Sequence, residues 1–361
     1  MVKHNYQQIG ETLYEEHLDN GLGIFVFPKP EFGKYYAFFA TRYGGMDTRF
    51  QVDGQWLDTP MGIAHYLEHK MFDTPDGGNA LQTLSATGAS PNAFTSTAIT
   101  GYHFECTDGF WENLRTLLEF VSVPYFTKES VEKEQGIIGQ EIRMIEDQPG
   151  WQAYHLLLEA LYHHHPVRNS VAGTVESIAQ ITAETLYQCH GAFYTPANMV
   201  LCVAGDVDPE RVCALARKIL PQQAKPPISR DCGAAEPETV FRREDSRAMA
   251  VSAPLLQLGI KGTPAPSWPW GRRIGGNGAP ARQARPFSAD CWQAVPAPST
   301  GSCMTRASST AASIWAIWII PAVRSCWLEA RAKNRQRYGM PSWRRGHASP
   351  GRAWTTVCSN G

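Results

Sequence analysis

No stretch of this chain holds the roughly eighteen consecutive apolar residues of a membrane-spanning helix. The N-terminus, Met1-Val2-Lys3-His4-Asn5-Tyr6, is polar where a secretory signal would place an apolar stretch. From these two absences a cytoplasmic protein without a membrane partner is expected. Paired cysteine spacing is missing too. Nine cysteines, an odd number, argue against a disulfide framework and for reduced thiols, with Cys106, Cys202 and Cys213 in apolar patterns typical of a core. Overall charge is nearly absent, at −1, but the balance hides a division. Residues 265–361 hold only two acids, Asp290 and Glu329, against thirteen Lys plus Arg, which gives +11 there and −12 for residues 1–264. A length of 361 residues allows two domains and a sizeable core.

Within the acidic part, His65-Tyr66-Leu67-Glu68-His69 sets two imidazoles four residues apart with a carboxylate between them. On a helix, i and i+4 share a face, so both histidines reach one metal ion while Glu68, at i+3, points toward the same spot. Asp58 and Thr59 as N-cap oxygens, and Pro60 at the first helical position, predict a helix over residues 60–72. The order H-x-x-E-H inverts H-E-x-x-H, and both are zinc-peptidase motifs. Catalytic zinc takes three protein ligands and keeps a fourth position for water, so a carboxylate from another element is needed. Residues 128–148 read as an amphipathic helix with apolar Val131, Ile137, Ile138, Ile142 and Ile145. In it Glu134 and Glu141 stand seven apart, two turns along one face. One can ligate while the other supports the site.

These segments resemble the pitrilysin/insulinase family of inverzincin metallopeptidases, in particular its short bacterial, processing-peptidase-like branch. Further matches are Leu18-Asp19-Asn20-Gly21, Arg42-Tyr43-Gly44-Gly45, Asn92-Ala93-Phe94-Thr95, Ala172-Gly173-Thr174, Phe193-Tyr194 to Asn198-Met199, and Val203-Ala204-Gly205-Asp206. In the family the second of the two glutamates is the third zinc ligand. The resemblance therefore implies Zn2+ held by His65, His69 and Glu141, with Glu68 as general base and Glu134 as support behind the ligands. It also implies that Asn92, Ala93, Phe94 and Thr95 supply a sheet edge on which an extended peptide substrate adds a strand. Read from the residues alone, those four are a strand after the turn Gly88-Ala89-Ser90-Pro91. The implied activity is that of a zinc endopeptidase acting on peptides or unfolded segments, alone as a homodimer or paired with a homologous non-catalytic subunit. The alternative is an inactive truncated fragment or regulatory subunit that binds zinc without turnover.

The expected fold class is α+β, a sheet flanked by helices, with a second homologous domain cut short. Strands are predicted at residues 23–28, 36–43, 101–107, 199–204 and 248–259, and helices at 60–72, 110–123, 128–146, 151–162, 183–193 and 209–219. The predicted division is a catalytic domain over 1–222, a linker and domain start over 223–264, and a tail over 265–361. His163-His164-His165, before Pro166, read as a polar helix end rather than a second metal site.

The tail carries eight of the eleven tryptophans. A basic, Trp-rich arm suggests nucleic-acid or membrane binding. However, this one lacks helical or strand period, and its abundance of Trp, Arg, Pro, Ser, Ala and Cys is what a GC-rich gene yields out of frame. The genetic code supplies a check, since each original codon would combine one visible wobble base with the next two bases. Met304 before Thr305 then gives only Asp, Trp315 before Ala316 only Gly, and Trp318 before Ile319 only Asp. Residues 301–313 permit KLYDEGLINSSF, and 325–335 permit LLAGGESKEP, strings that resemble the second domain of the same family. The expectation is a frame change between Lys261 and Arg285, a disordered tail beyond it, and no nucleic-acid partner.

Overall fold

The computed structural model describes residues 1–226, 228–252 and 255–261 and the strand segments 316–320, 325–331 and 353–360. Two compact units divide the chain, one of residues 1–146 with 164–234 and one of 147–163 with 235–361. The fold is α+β, with sheets flanked by helices.

The strands of the first unit are β1 (Val2–Tyr6), β2 (Glu11–His17), β3 (Gly23–Pro28), β4 (Tyr35–Thr41), β5 (Arg49–Val52), β6 (Gln55–Asp58), β7 (Ser90–Thr95), β8 (Thr100–Cys106) and β9 (Met199–Gly205). Seven of them form one sheet in the order β1-β2-β3-β9-β4-β8-β7, while β5 and β6 make a separate hairpin. Only β3 and β9 run parallel in the large sheet. The two-residue period of a strand puts Ile24 and Val26, Ala37 and Phe39, Tyr102 and Phe104, and Leu201 and Val203 on one buried face. The register agrees, because Phe39 lies opposite both Leu201 and Tyr102.

The helices, in chain order, are α1 (Ile63–Lys70), α2 (Ala80–Ala86), α3 (Phe110–Ser122), α4 (Lys128–Glu146), α5 (Pro149–Leu161), α6 (Val175–Ile178), α7 (Ala183–Phe193) and α8 (Pro209–Ile219). All but α5 belong to the first unit. Their apolar positions recur at three and four residues, as in Leu114, Leu117, Leu118 and Val121 of α3 and Val131, Ile138 and Ile142 of α4, and these side chains join the sheet residues in one core.

The start of α1 differs from the sequence expectation. It begins at Ile63, and Gly62 stands at the N-cap with φ 90° and no side-chain cap. The expected capping oxygens are engaged elsewhere. Asp58 takes the Arg49 guanidinium at 2.7 and 2.6 Å across the β5–β6 hairpin, and the Thr59 hydroxyl donates to the Thr48 carbonyl at 3.0 Å. What positions the helix instead is a close backbone approach. A Cβ on Gly62 would lie 2.5 Å from the Ala172 carbonyl oxygen, and one on Gly173, at φ 75°, would lie 2.5 Å from the Met61 carbonyl oxygen. The Ser177 hydroxyl donates to that Met61 carbonyl at 2.8 Å. Gly62→Ala is therefore expected to lower the unfolding free energy by about 1–3 kcal/mol, from positive-φ strain and the contact with residue 172. An unchanged denaturation midpoint would contradict this packing.

The unit boundaries also differ from the predicted division at 222. Residues 229–231, placed by sequence in a linker, join the hairpin of the first unit. Gln51 N–H donates to the Ser229 carbonyl at 3.0 Å, and Asp231 N–H donates to the Arg49 carbonyl at 2.9 Å. Between them Arg230 reaches the buried Asp47 at 3.1 Å. Burial pushes the Asp47 carboxyl up, and the guanidinium opposes that shift.

In the second unit β10 (Glu244–Ala248), β11 (Leu255–Lys261), β12 (Ala316–Ile320), β13 (Ser325–Arg331) and β14 (Ala353–Asn360) form a sheet in the order β10-β14-β11-β13-β12. The strand predicted over 248–259 is divided: β10 ends at its first residue, Ala248, and β11 begins within it at Leu255 and covers the rest of its length. Helix α5, expected in the first domain, packs on this sheet at Gly259, where a Cβ would lie 2.9 Å from Leu157 and Leu161. Of the tail expected to be out of frame and disordered, three segments run as strands, and the remainder lies outside the described residues. No helix among the described residues is long and apolar enough to cross a membrane.

Candidate metal centre

Helical spacing on α1 turns His65 and His69 to the same side, with ring centroids 4.7 Å apart. The apolar side of α1, with Ile63, Ala64, Tyr66 and Leu67, is buried in the core, which fixes how far the histidines project. Helix α4 packs against α1, and the Tyr66 hydroxyl donates to the Val131 carbonyl across that contact. The packing brings Glu141 to the histidines. His65 Nε2 lies 3.6 Å from Glu141 Oε1, and His69 Nε2 lies 3.4 Å from Glu141 Oε2. Among the described residues, His65, His69 and Glu141 are the group of metal-ligating side chains that converges, with ligand atoms within 4.8 Å of one another.

The donor set fits zinc. Two ligand bonds of about 2.0–2.1 Å at a tetrahedral angle leave ligand atoms about 3.4 Å apart, which is close to the two spacings here. Imidazole nitrogen and carboxylate oxygen are both ordinary zinc donors. Among the described residues, buried His65 Nδ1 has no hydrogen-bond partner and none of them orients this imidazole through that nitrogen.

Glu134 and Glu68 lie beside this group in different ways. Glu134 Oε1 is 3.1 Å from His69 Nδ1, the ring nitrogen turned away from Glu141. Glu68 is buried, and its Oε2 accepts the Thr95 hydroxyl at 2.6 Å. Thr95 ends β7, whose other neighbour in the sheet is absent among the described residues, so Asn92, Ala93, Phe94 and Thr95 form part of an edge strand. Along it Asn92 and Phe94 are exposed, while Ala93 and Thr95 are half-buried on the opposite face.

The electrostatics follow the same contacts. The His65 and His69 imidazoles beside it hold the Glu141 carboxyl well below the usual range, and the hydrogen bond with His69 lowers Glu134. Burial pulls the His69 imidazolium down, but Glu134 and Glu141 outweigh it and leave the group pushed up to about 9. Burial pushes Glu68 up, against the hydrogen bond from Thr95. Three carboxyl groups, Glu68, Glu134 and Glu141, thus lie around two imidazoles in a partly desolvated setting, with Glu141 on the Nε2 side where a cation would be favoured.

Two participants escaped the sequence reading. Lys70, buried at the end of α1, donates to Asp73 at 2.5 Å and to the Ser130 carbonyl at 3.2 Å. Lysine is ordinarily exposed, so nothing in its type marked it. Thr95 was expected only as substrate edge, and its bond to Glu68 depends on the register of β7. His163, His164 and His165 follow the end of α5, where His165 Nδ1 accepts the Val167 N–H at 3.2 Å as the cap of a short turn.

Comparison with known proteins points the same way. The family profile described as Insulinase (Peptidase family M16) matches residues 54–175, and the one described as Peptidase M16 inactive domain matches 180–268. "Uncharacterized zinc protease YmfH" of Bacillus subtilis is 47% identical over 261 residues, 71% of this chain and 60% of the relative. "Uncharacterized zinc protease ML0855" of Mycobacterium leprae is 35% identical over 164 residues, 44% of this chain and 37% of the relative. The match thus spans less than two thirds of the length of both relatives. The crystal structure of a putative M16-like peptidase from Alicyclobacillus acidocaldarius superposes with a TM-score of 0.76 at 32% identity, covering 93% of this chain and 78% of that one.

Proposed function

Because the chain belongs to the insulinase family of peptidases (peptidase family M16), we propose that it is a zinc-dependent endopeptidase cleaving peptides or unfolded segments, with zinc held by His65, His69 and Glu141. The observation that carries this reading is the convergence of the two Nε2 atoms on the Glu141 carboxylate at tetrahedral spacing, with Glu68 adjacent and bonded elsewhere. Zinc bound there supplies an acidified water and a Lewis acid for the scissile carbonyl.

The chain's own residues do the rest. Glu68 takes the proton of the attacking water and passes it to the leaving amine, a role that asks for a carboxylate near the metal and not bound to it. Its upward shift on burial suits a group that must both accept and release a proton. Glu134, hydrogen-bonded to His69, keeps that ring oriented. The free side of β7 offers main-chain groups to an extended peptide, which would add as a further strand beside Asn92 to Thr95, and the exposed Asn92 and Phe94 are available for side-chain contacts. A homologous subunit or second copy as partner belongs to the same reading.

A second reading has separate support. The inactive-domain match ends at residue 268, inside the interval where the sequence changes character. A chain whose second half is out of frame keeps the metal site of the first unit and serves as a zinc-binding but silent fragment or a regulatory subunit. Metal analysis and a quenched peptide library separate the two. The peptidase reading predicts one zinc per chain, cleavage abolished by a chelator, and cleavage restored by added zinc. Zinc without cleavage favours the silent subunit, and absence of zinc overturns both.

A further inference from the structure

Lys70 directly follows the second histidine of α1 and is 1% exposed. Desolvating an ammonium is costly unless opposite charges and acceptors surround it. Three do. Lys70 Nζ donates to Asp73 Oδ2 at 2.5 Å and to the Ser130 carbonyl at 3.2 Å, and it lies 3.9 Å from Glu134 Oε2. The other oxygen of Glu134 meets His69 Nδ1 at 3.1 Å. His69 in turn aims Nε2 at Glu141 from 3.4 Å. The contacts therefore run from a buried cation through a carboxylate and an imidazole to the metal position, all within the packing of α1 on α4.

We propose that Lys70 is a positioning residue for the metal centre: by pairing with one oxygen of Glu134 it fixes that carboxylate so that its other oxygen holds the proton on His69 Nδ1. A proton held at Nδ1 leaves the Nε2 lone pair free for the metal, and outer partners of this kind commonly set metal affinity. Asp73 and Ser130 keep the ammonium in place, since they take it from the side of α1's own end and of the first turn of α4. Burial alone does not account for the arrangement, because Asp73 would already neutralise the charge. The approach to Glu134 is what ties Lys70 to His69. This inference rests on the reading of His65, His69 and Glu141 as zinc ligands.

The test is a double-mutant cycle on zinc affinity, measured by competition with a chromogenic chelator on the full chain, which requires no catalytic turnover. Wild type, Lys70→Met, Glu134→Gln and the double variant are compared, together with their zinc-free thermal midpoints. Each single change is expected to weaken zinc binding about 10–100-fold, and the double variant no more than Glu134→Gln alone, because Lys70 acts through Glu134. If Lys70→Met lowers only the thermal midpoint, or if the two losses multiply, Lys70 is structural and the proposal is overturned. Should Lys70→Met fail to fold, Lys70→Gln, which keeps a neutral donor of similar reach, takes its place in the same cycle. A wild type that binds no zinc overturns the ligand reading itself. Wild-type binding with unchanged affinity in the Lys70 variant overturns only this inference.

Discussion

Glu68→Gln is expected to cut kcat for peptide cleavage by about 10²–10⁴-fold, the range that a positioned general base contributes, while zinc content and KM stay close to wild type. Glutamine matches the shape of the carboxylate and still accepts the Thr95 hydroxyl, which holds residue 68 at 2.6 Å in the wild type. What it loses is the capacity to take a proton from water. Because Glu68 is outside the converging ligand group, its change should not release the metal. Parallel loss of cleavage and zinc would show that Glu68 is a ligand. Undiminished cleavage would show that another base operates.

The second large effect is expected at Glu141. Its carboxylate faces both imidazoles, at 3.6 and 3.4 Å, so Glu141→Ala removes one of three ligands and leaves two histidines on one helix. Zinc affinity should fall by clearly more than the roughly 10–100-fold expected for an outer partner such as Glu134. Chelator competition orders the variants directly: Glu141→Ala well below Glu134→Gln, and both below wild type. Equal losses would mean that the two glutamates, seven residues apart, share the ligand role.

Much of this site was legible in the sequence because helical periodicity alone fixes which residues share a face. His65 and His69, and Glu134 and Glu141, follow from spacing. Their meeting does not, since it requires α1 to pack on α4. The long amphipathic helices were equally legible, and α4, α7 and α8 occupy the predicted ranges. Boundaries failed where tertiary contacts claim the signalling residues. Asp58 and Thr59 look like caps but serve the β5–β6 hairpin and its neighbour, and the start of α1 depends on Gly62 meeting residues more than a hundred positions away. Strands β1, β2, β5 and β6 are not among the predicted ones; β1 and β6 are largely exposed and lack the alternation that marks a half-buried strand, while β2 and β5 are short or mostly half-buried throughout. The pairing of Arg230 with Asp47 is a contact of the same kind, set by burial of a distant carboxylate and not by local pattern.

Zinc-edge anomalous diffraction from crystals of the zinc-loaded chain tests the proposed centre most directly. One peak is predicted, about 2.0–2.2 Å from His65 Nε2, His69 Nε2 and a Glu141 oxygen, with the Glu68 carboxylate outside the coordination sphere. A peak elsewhere in the chain, or one with Glu68 in place of Glu141, would contradict it.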